Sequence, residues 1–119
     1  MRTKANKKRS RTQPNAEEKR FLLWLADRPC CECGSDGGVI IDHFGGVMLA
    51  HNKEQIGHWA INGYCEACDA IKTQGGHSAY LEHFKHTQAH TWSYTIAEYD
   101  PQAKLVPTAK FKAIMDWNK

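Results

Sequence analysis

The chain has 119 residues, 41% hydrophobic and 24% charged, which suits one domain with a modest core. It holds no apolar run near the roughly 20 residues of a membrane span, and the basic N-terminus lacks the apolar stretch of a secretory signal. The net charge of +3 is uneven: residues 1–13 carry Arg2, Lys4, Lys7, Lys8, Arg9 and Arg11 with no acid, for +6, and leave the rest at −3.

Residues 1–14 have no apolar period and read as a disordered basic arm, ahead of a domain over 15–119. Such an arm is either a solvated tail or a tether that binds nucleic-acid phosphates through charge and counterion release. The tether is preferred, because an acidic body alone would repel DNA. Asn15 and Glu18 have capping-box spacing and start a helix over 16–28, with Phe21, Leu22, Trp24 and Leu25 as its apolar face and Pro29 as its stop. Cys30 to Gly34 reads C-C-E-C-G, a tight knuckle, and Ser35 to Gly38 is turn chemistry. Val39, Ile40 and Ile41 favour a strand, with Asp42-His43 at its end and Gly45-Gly46 breaking it.

Residues 47–57 read as a loop with a helical turn, His58 to Ile61 as the returning strand, and Asn62-Gly63 as a turn. A helix runs from Glu66 to about Thr73 and ends at Gly75-Gly76. Ser78 caps another, from about Ala79 to Thr87, with Tyr80, Leu81 and Phe84 facing the core. Trp92, Tyr94 and Ile96 alternate as in an extended segment that Asp100-Pro101 ends. The last helix follows Pro107-Thr108 and buries Phe111, Ile114, Met115 and Trp117.

Cys30/Cys33 and Cys65/Cys68 are Cys-x-x-Cys pairs, whose four thiolates can close one tetrahedral Zn²⁺ site. Five cysteines is an odd number, which with this spacing argues for thiolate–zinc in a reducing cytoplasm over a pair of disulfides. Cys31 is left as a free thiol, because Cys-x-Cys closes a poorer chelate. The zinc clamp would bring Asp42 and Asp69 close enough to share a harder cation beside His43, an arrangement suited to phosphodiester hydrolysis. A histidine with a pKa of about 6.5 can take the proton of the attacking water at neutral pH. Adjacent strand residues point to opposite sides, so Asp42 and His43 can act together only at a bend or strand end.

The order strand, Asp-His, return strand, Asn-Gly, Cys-x-x-Cys, acidic residue on a helix resembles the HNH endonucleases with a ββα-metal core and zinc-knuckle flanks. The residues that carry it are C-C-E-C-G at 30–34, I-I-D-H at 40–43 and N-G-Y-C-E-A-C-D-A-I-K-T at 62–73. More narrowly, the chain is similar to the phage recombination-enhancement nucleases, which act with RecA filaments and carry a basic mobile region before an HNH-like core. The resemblance implies a small zinc-stabilised α+β fold, with a short β-hairpin packed among helices and extended loops. It implies a DNA endonuclease of the bacterial host cytoplasm, acting on single- and double-stranded DNA with the RecA nucleoprotein filament as partner. Asp42 matches the metal-binding Asp, His43 the general base, and Asn62 is the nearest candidate for the middle Asn. Asp69 stands where most members have a second metal-binding His, which makes the site richer in oxygen and friendlier to Mg²⁺ or Mn²⁺. The rival reading is a non-catalytic zinc-ribbon module that binds nucleic acid or docks on a recombinase.

Seven histidines are many for this length. His83, His86 and His90 fall at i, i+3 and i+7, as a solvent-facing stripe or as a source of one active-site residue, His86 being central. A separate histidine zinc site with His77 is a third reading, and His51 and His58 could approach the metal from the hairpin insertion. Lys72 is either a phosphate contact or a solvated helix lysine. Trp92 and Tyr94 read as core aromatics in preference to base-stacking platforms.

Overall fold

A computed structural model describes residues 13–44, 50–51, 54–55 and 57–116, with the side chains of 50–51 and 54–55 left out. The arm residues Arg2, Lys4, Lys7, Lys8, Arg9 and Arg11, the Gly45-Gly46 break, the His51 side chain and Trp117 lie outside the described residues.

Helix α1 (Ala16–Ala26) opens on the expected capping box: Asn15 Oδ1 accepts the Glu18 N–H and Glu18 Oε1 accepts the Asn15 N–H, both at 2.8 Å. It ends two residues short of the expected boundary, and its Phe21 and Leu25 are buried. Strand β1 (Ile40–His43) follows, and in the connection after it β2 (Ala50–His51) pairs antiparallel with β3 (Glu54–Gln55). The returning strand β4 (Ile61–Tyr64) pairs antiparallel with β1, setting Asp42 opposite Asn62 and His43 opposite Ile61. Asn62-Gly63 is therefore inside the strand and not a turn, and residues 58–60 precede the ladder. Gly63 is needed for close approach, since a Cβ there would lie 3.1 Å from Val39 Cγ2.

Helix α2 (Glu66–Phe84) begins directly after Cys65 and consists of two helical stretches that meet at a kink, at the Gly75-Gly76 pair where an end was expected. Its backbone breaks at Gly76 (φ 74°, ψ −166°), a conformation that costs glycine little. Ser78 lies within the helix and does not cap it, and Lys85 in the left-handed region (φ 68°) ends it before Thr87. Helix α3 (Gln88–Tyr99) replaces the expected extended segment. Thr87 Oγ1 caps it by accepting the His90 N–H at 3.1 Å, and Trp92 and Ile96, four residues apart, share its buried face. Helix α4 (Thr108–Asp116) buries Ala113 and Ile114.

The result is a mixed α and β fold with two buried clusters. The larger joins Phe21 and Leu25 of α1, Phe44, Trp59 and Ile61 of the hairpin, Trp92 and Ile96 of α3, and Ile114 of α4. The smaller joins Cys30, Tyr64, Cys68 and Tyr80, with Val39 and Phe84 packed on it. Among the described residues no helix is long and apolar enough to cross a membrane.

Candidate metal centre and the polar groups around it

The first knuckle is a backbone turn. The Gly34 N–H returns to the Cys30 carbonyl at 2.9 Å, and the Cys31 N–H bonds the Gly63 carbonyl of β4 at 2.9 Å. The second knuckle is the start of α2, where Cys65 is the N-cap residue and Cys68 lies in the first turn. Sγ atoms of Cys30, Cys33, Cys65 and Cys68 all lie within 4.8 Å of one another. Tetrahedral Zn–S bonds of about 2.3 Å put sulfurs about 3.8 Å apart, and the Cys33–Cys65 pair is at 3.6 Å. All five cysteines are free thiols. This donor set can hold a structural metal such as zinc.

Thiol chemistry agrees. Burial pushes Cys30 up, but backbone N–H groups of Cys33, Cys65 and Glu32 outweigh it and bring the thiol down to about 7. Burial, and then hydrogen bonding to the other three sulfurs, push Cys68 well above the ordinary thiol range. One thiolate forms readily and holds its neighbours' protons, so four thiolates need a cation, and metal uptake would release protons. Cys31 stays outside the cluster, and burial followed by the charge of Glu32 keeps it protonated and unreactive.

The Asp42 carboxylate is half of a partly buried ion pair: Lys72 Nζ donates to Oδ1 at 2.8 Å, and Gln88 Nε2 donates to Oδ2 at 2.9 Å. Lys72 is thus the counter-ion of Asp42. Asp69, three residues earlier on α2, accepts from Thr73 Oγ1 at 3.3 Å. Among the described residues, Asp42 and Asp69 belong to no cluster of three or more metal-binding side chains. An ion at Asp42 Oδ1 would have to displace the Lys72 ammonium.

Asn62 is fully buried and donates from Nδ2 to Tyr64 Oη at 2.9 Å and to the Gln88 carbonyl at 3.1 Å. It braces the start of α3. Tyr64 Oη donates to Tyr80 Oη at 3.0 Å, and Tyr80 Oη donates to Glu32. Burial raises both phenols above their ordinary 10, which keeps them donors. Glu32, inside the first knuckle and 5% exposed in its side chain, also binds Thr91 Oγ1 at 2.6 Å and His86 Nε2 at 3.0 Å. A hydrogen-bonded path therefore runs from Asp42 through Gln88, Tyr64 and Tyr80 to Glu32 and His86.

His86 reaches this path and not the Asp42 carboxylate. The three-histidine stripe does not form: His83 is on α2, His86 is in the link after it, and His90 is on α3. His86 and His90 meet with ring centroids 5.3 Å apart, beside a cleft of about 360 Å³ that they line with Glu32, Arg28 and Tyr94. Trp92 is core, as expected, whereas Tyr94 is 69% exposed.

His43 leaves the strand for a different set of partners. Its Nε2 lies 3.2 Å from His58 Nδ1, with the rings at 80°. The His58 N–H donates to Glu18 Oε2 at 3.2 Å. Burial, then the neighbouring His58, hold the His43 pKa below 6.5. Strand alternation is kept, so Asp42 serves the α2–α3 side and His43 the α1 side. Sequence reasoning missed Glu18, Glu32 and Gln88 as site residues. The charge within Cys-Cys-Glu-Cys was a signal for Glu32, while nothing local marks Gln88. Comparison with protein-family models, with curated proteins and with solved structures returns no match.

Proposed function

We propose that this chain is a metal-dependent DNA endonuclease of the HNH type that cuts DNA bound in RecA filaments in the bacterial cytoplasm and so promotes recombination. One observation carries the reading. The cysteine cluster ties the knuckle before β1 to the first turn of α2, so the Asp-His strand, its return strand and the following helix form one ββα unit. Two further features support it. His43 is held unprotonated near neutral pH. The Asn62 Oδ1 and Gln88 Oε1 atoms are buried without partners, a cost of about 1–3 kcal/mol each, while the amide nitrogens of the same groups hold Asp42 and its surroundings.

In this mechanism a water gives its proton to His43, the hydroxide oxygen bonds to phosphorus, and the bond from phosphorus to the 3′ oxygen breaks. The departing oxygen then takes a proton from solvent. A divalent ion, Mg²⁺ or Mn²⁺, would supply charge stabilisation on the phosphate oxygens. The basic arm would tether DNA to the acidic body.

The test is zinc content together with RecA-dependent cutting of single- and double-stranded DNA. We expect about one zinc per chain, and in His43→Ala a cleavage loss on the order of 10²-fold or more with DNA binding retained. Normal cutting by that variant rejects the base. The rival, a non-catalytic zinc-ribbon or recombinase-docking module, is favoured by the Asp42–Lys72 pair, which spends the carboxylate internally. A chain with Asp42→Ala and Asp69→Ala that keeps full biological effect selects the rival.

A further inference from the structure

The His43–His58 contact constrains protons as well as positions. Two ring nitrogens 3.2 Å apart share one hydrogen, so one donates and the other accepts. If His58 Nδ1 donates, the proton of neutral His43 sits on its own Nδ1, and the ring has no free lone pair for a water. If His43 Nε2 donates, Nδ1 is left as a proton acceptor, and among the described residues Nδ1 has no hydrogen-bond partner. Resting on the reading of His43 as the base, we propose that His58 is its positioning residue, holding His43 as the tautomer protonated on Nε2.

The placement of His58 is built from both sides. Glu18 accepts the His58 N–H through Oε2 while Oε1 closes the capping box of α1, so the helix start and the histidine share one carboxylate. Gly57 has φ +72°, which turns the chain over Glu18, and a Cβ there would lie 3.3 Å from Glu18 Oε2. On the other side, Trp92 Nε1 donates to the Trp59 carbonyl at 2.7 Å, anchoring the residue after His58 to α3. His58 is 8% exposed and Glu18 6%, so both are fixed inside the fold. The helix cap thus doubles as support for the imidazole pair.

The experiment uses the zinc-loaded full chain and reads ring-nitrogen tautomers by two-bond ¹⁵N–¹H correlation, beside cleavage kinetics. Wild type should show His43 protonated on Nε2, and His58→Ala should give a mixture with kcat reduced on the order of 10²-fold at unchanged KM. His58→Asn, whose amide stands near the position of Nδ1, should restore the tautomer and most of kcat. His58→Gln, whose amide stands near Nε2, should not. A wild-type His43 protonated on Nδ1, or His58→Asn no better than His58→Gln, overturns the proposal. If wild type shows the expected tautomer yet cuts no DNA, the nuclease reading fails while the pairing stands. Undiminished cutting by His58→Ala removes the positioning role and leaves the nuclease reading in place.

Discussion

At the residue scale, His43 is tuned away from charge. Burial and His58 lower its pKa from 6.5, so the acid limb of kcat/KM should lie below pH 6.5 and move up in His58→Ala. The same shift makes stability depend on pH. The unfolded chain binds the proton more tightly, so the contribution of His43 is complete above pH 6.5 and lost as pH falls through the lowered folded value. The urea midpoint of wild type relative to His43→Ala should therefore be highest on the alkaline side and fall as the solution is made acid. Lys72 provides a second test, because it holds Asp42 Oδ1. Lys72→Met should lower the Mn²⁺ concentration that half-saturates cleavage several-fold, and an unchanged value would remove Asp42 from the ion's ligands. The Asp-His dipeptide itself was legible, as was the alternation that divides it. Which neighbours each side chain meets was not, because Gln88 and Glu18 come from elements 46 and 40 residues away from the groups they serve.

At the element scale, the start of α1 was legible because a capping box is local: Asn15 and Glu18 need only each other. Asn15→Ala should cost about 1 kcal/mol in urea unfolding, and Gly57→Ala about 1–2 kcal/mol because alanine resists the left-handed region. Elements decided by packing were misread. Trp92, Tyr94 and Ile96 alternate, but Trp92 and Ile96 are also one helical turn apart, and the core takes them as a helix face. Asn62-Gly63 resembles a turn by composition, yet Gly63 lies in the strand, where a Cβ would sit only 3.1 Å from Val39 Cγ2. In each case the deciding neighbour is distant in sequence, and no local pattern encodes it.

At the scale of the whole molecule, the two buried clusters should respond differently to metal removal. The larger rests on Phe21, Trp59, Trp92 and Ile114, whereas the smaller has few apolar groups beyond Tyr64, Tyr80 and the cysteines. Chelation should therefore expose amides around Cys30 to Val39 and the start of α2 to hydrogen exchange first, while the Trp59–Trp92 region stays protected. Simultaneous loss of both would show one cooperative unit. The cysteine spacing made this centre legible, since ligand number and chelate size are written into the chain itself. The hydrogen-bonded path from Glu32 to Asp42 was beyond such reading, and it has its own consequence. The knuckle that grips the ion also carries the far anchor of the aspartate, so a chain without its ion should lose the alignment of that carboxylate before it loses its fold. On the nuclease reading proposed above, a freshly made copy would stay idle until loaded, with the supply of a trace element acting as its safety catch.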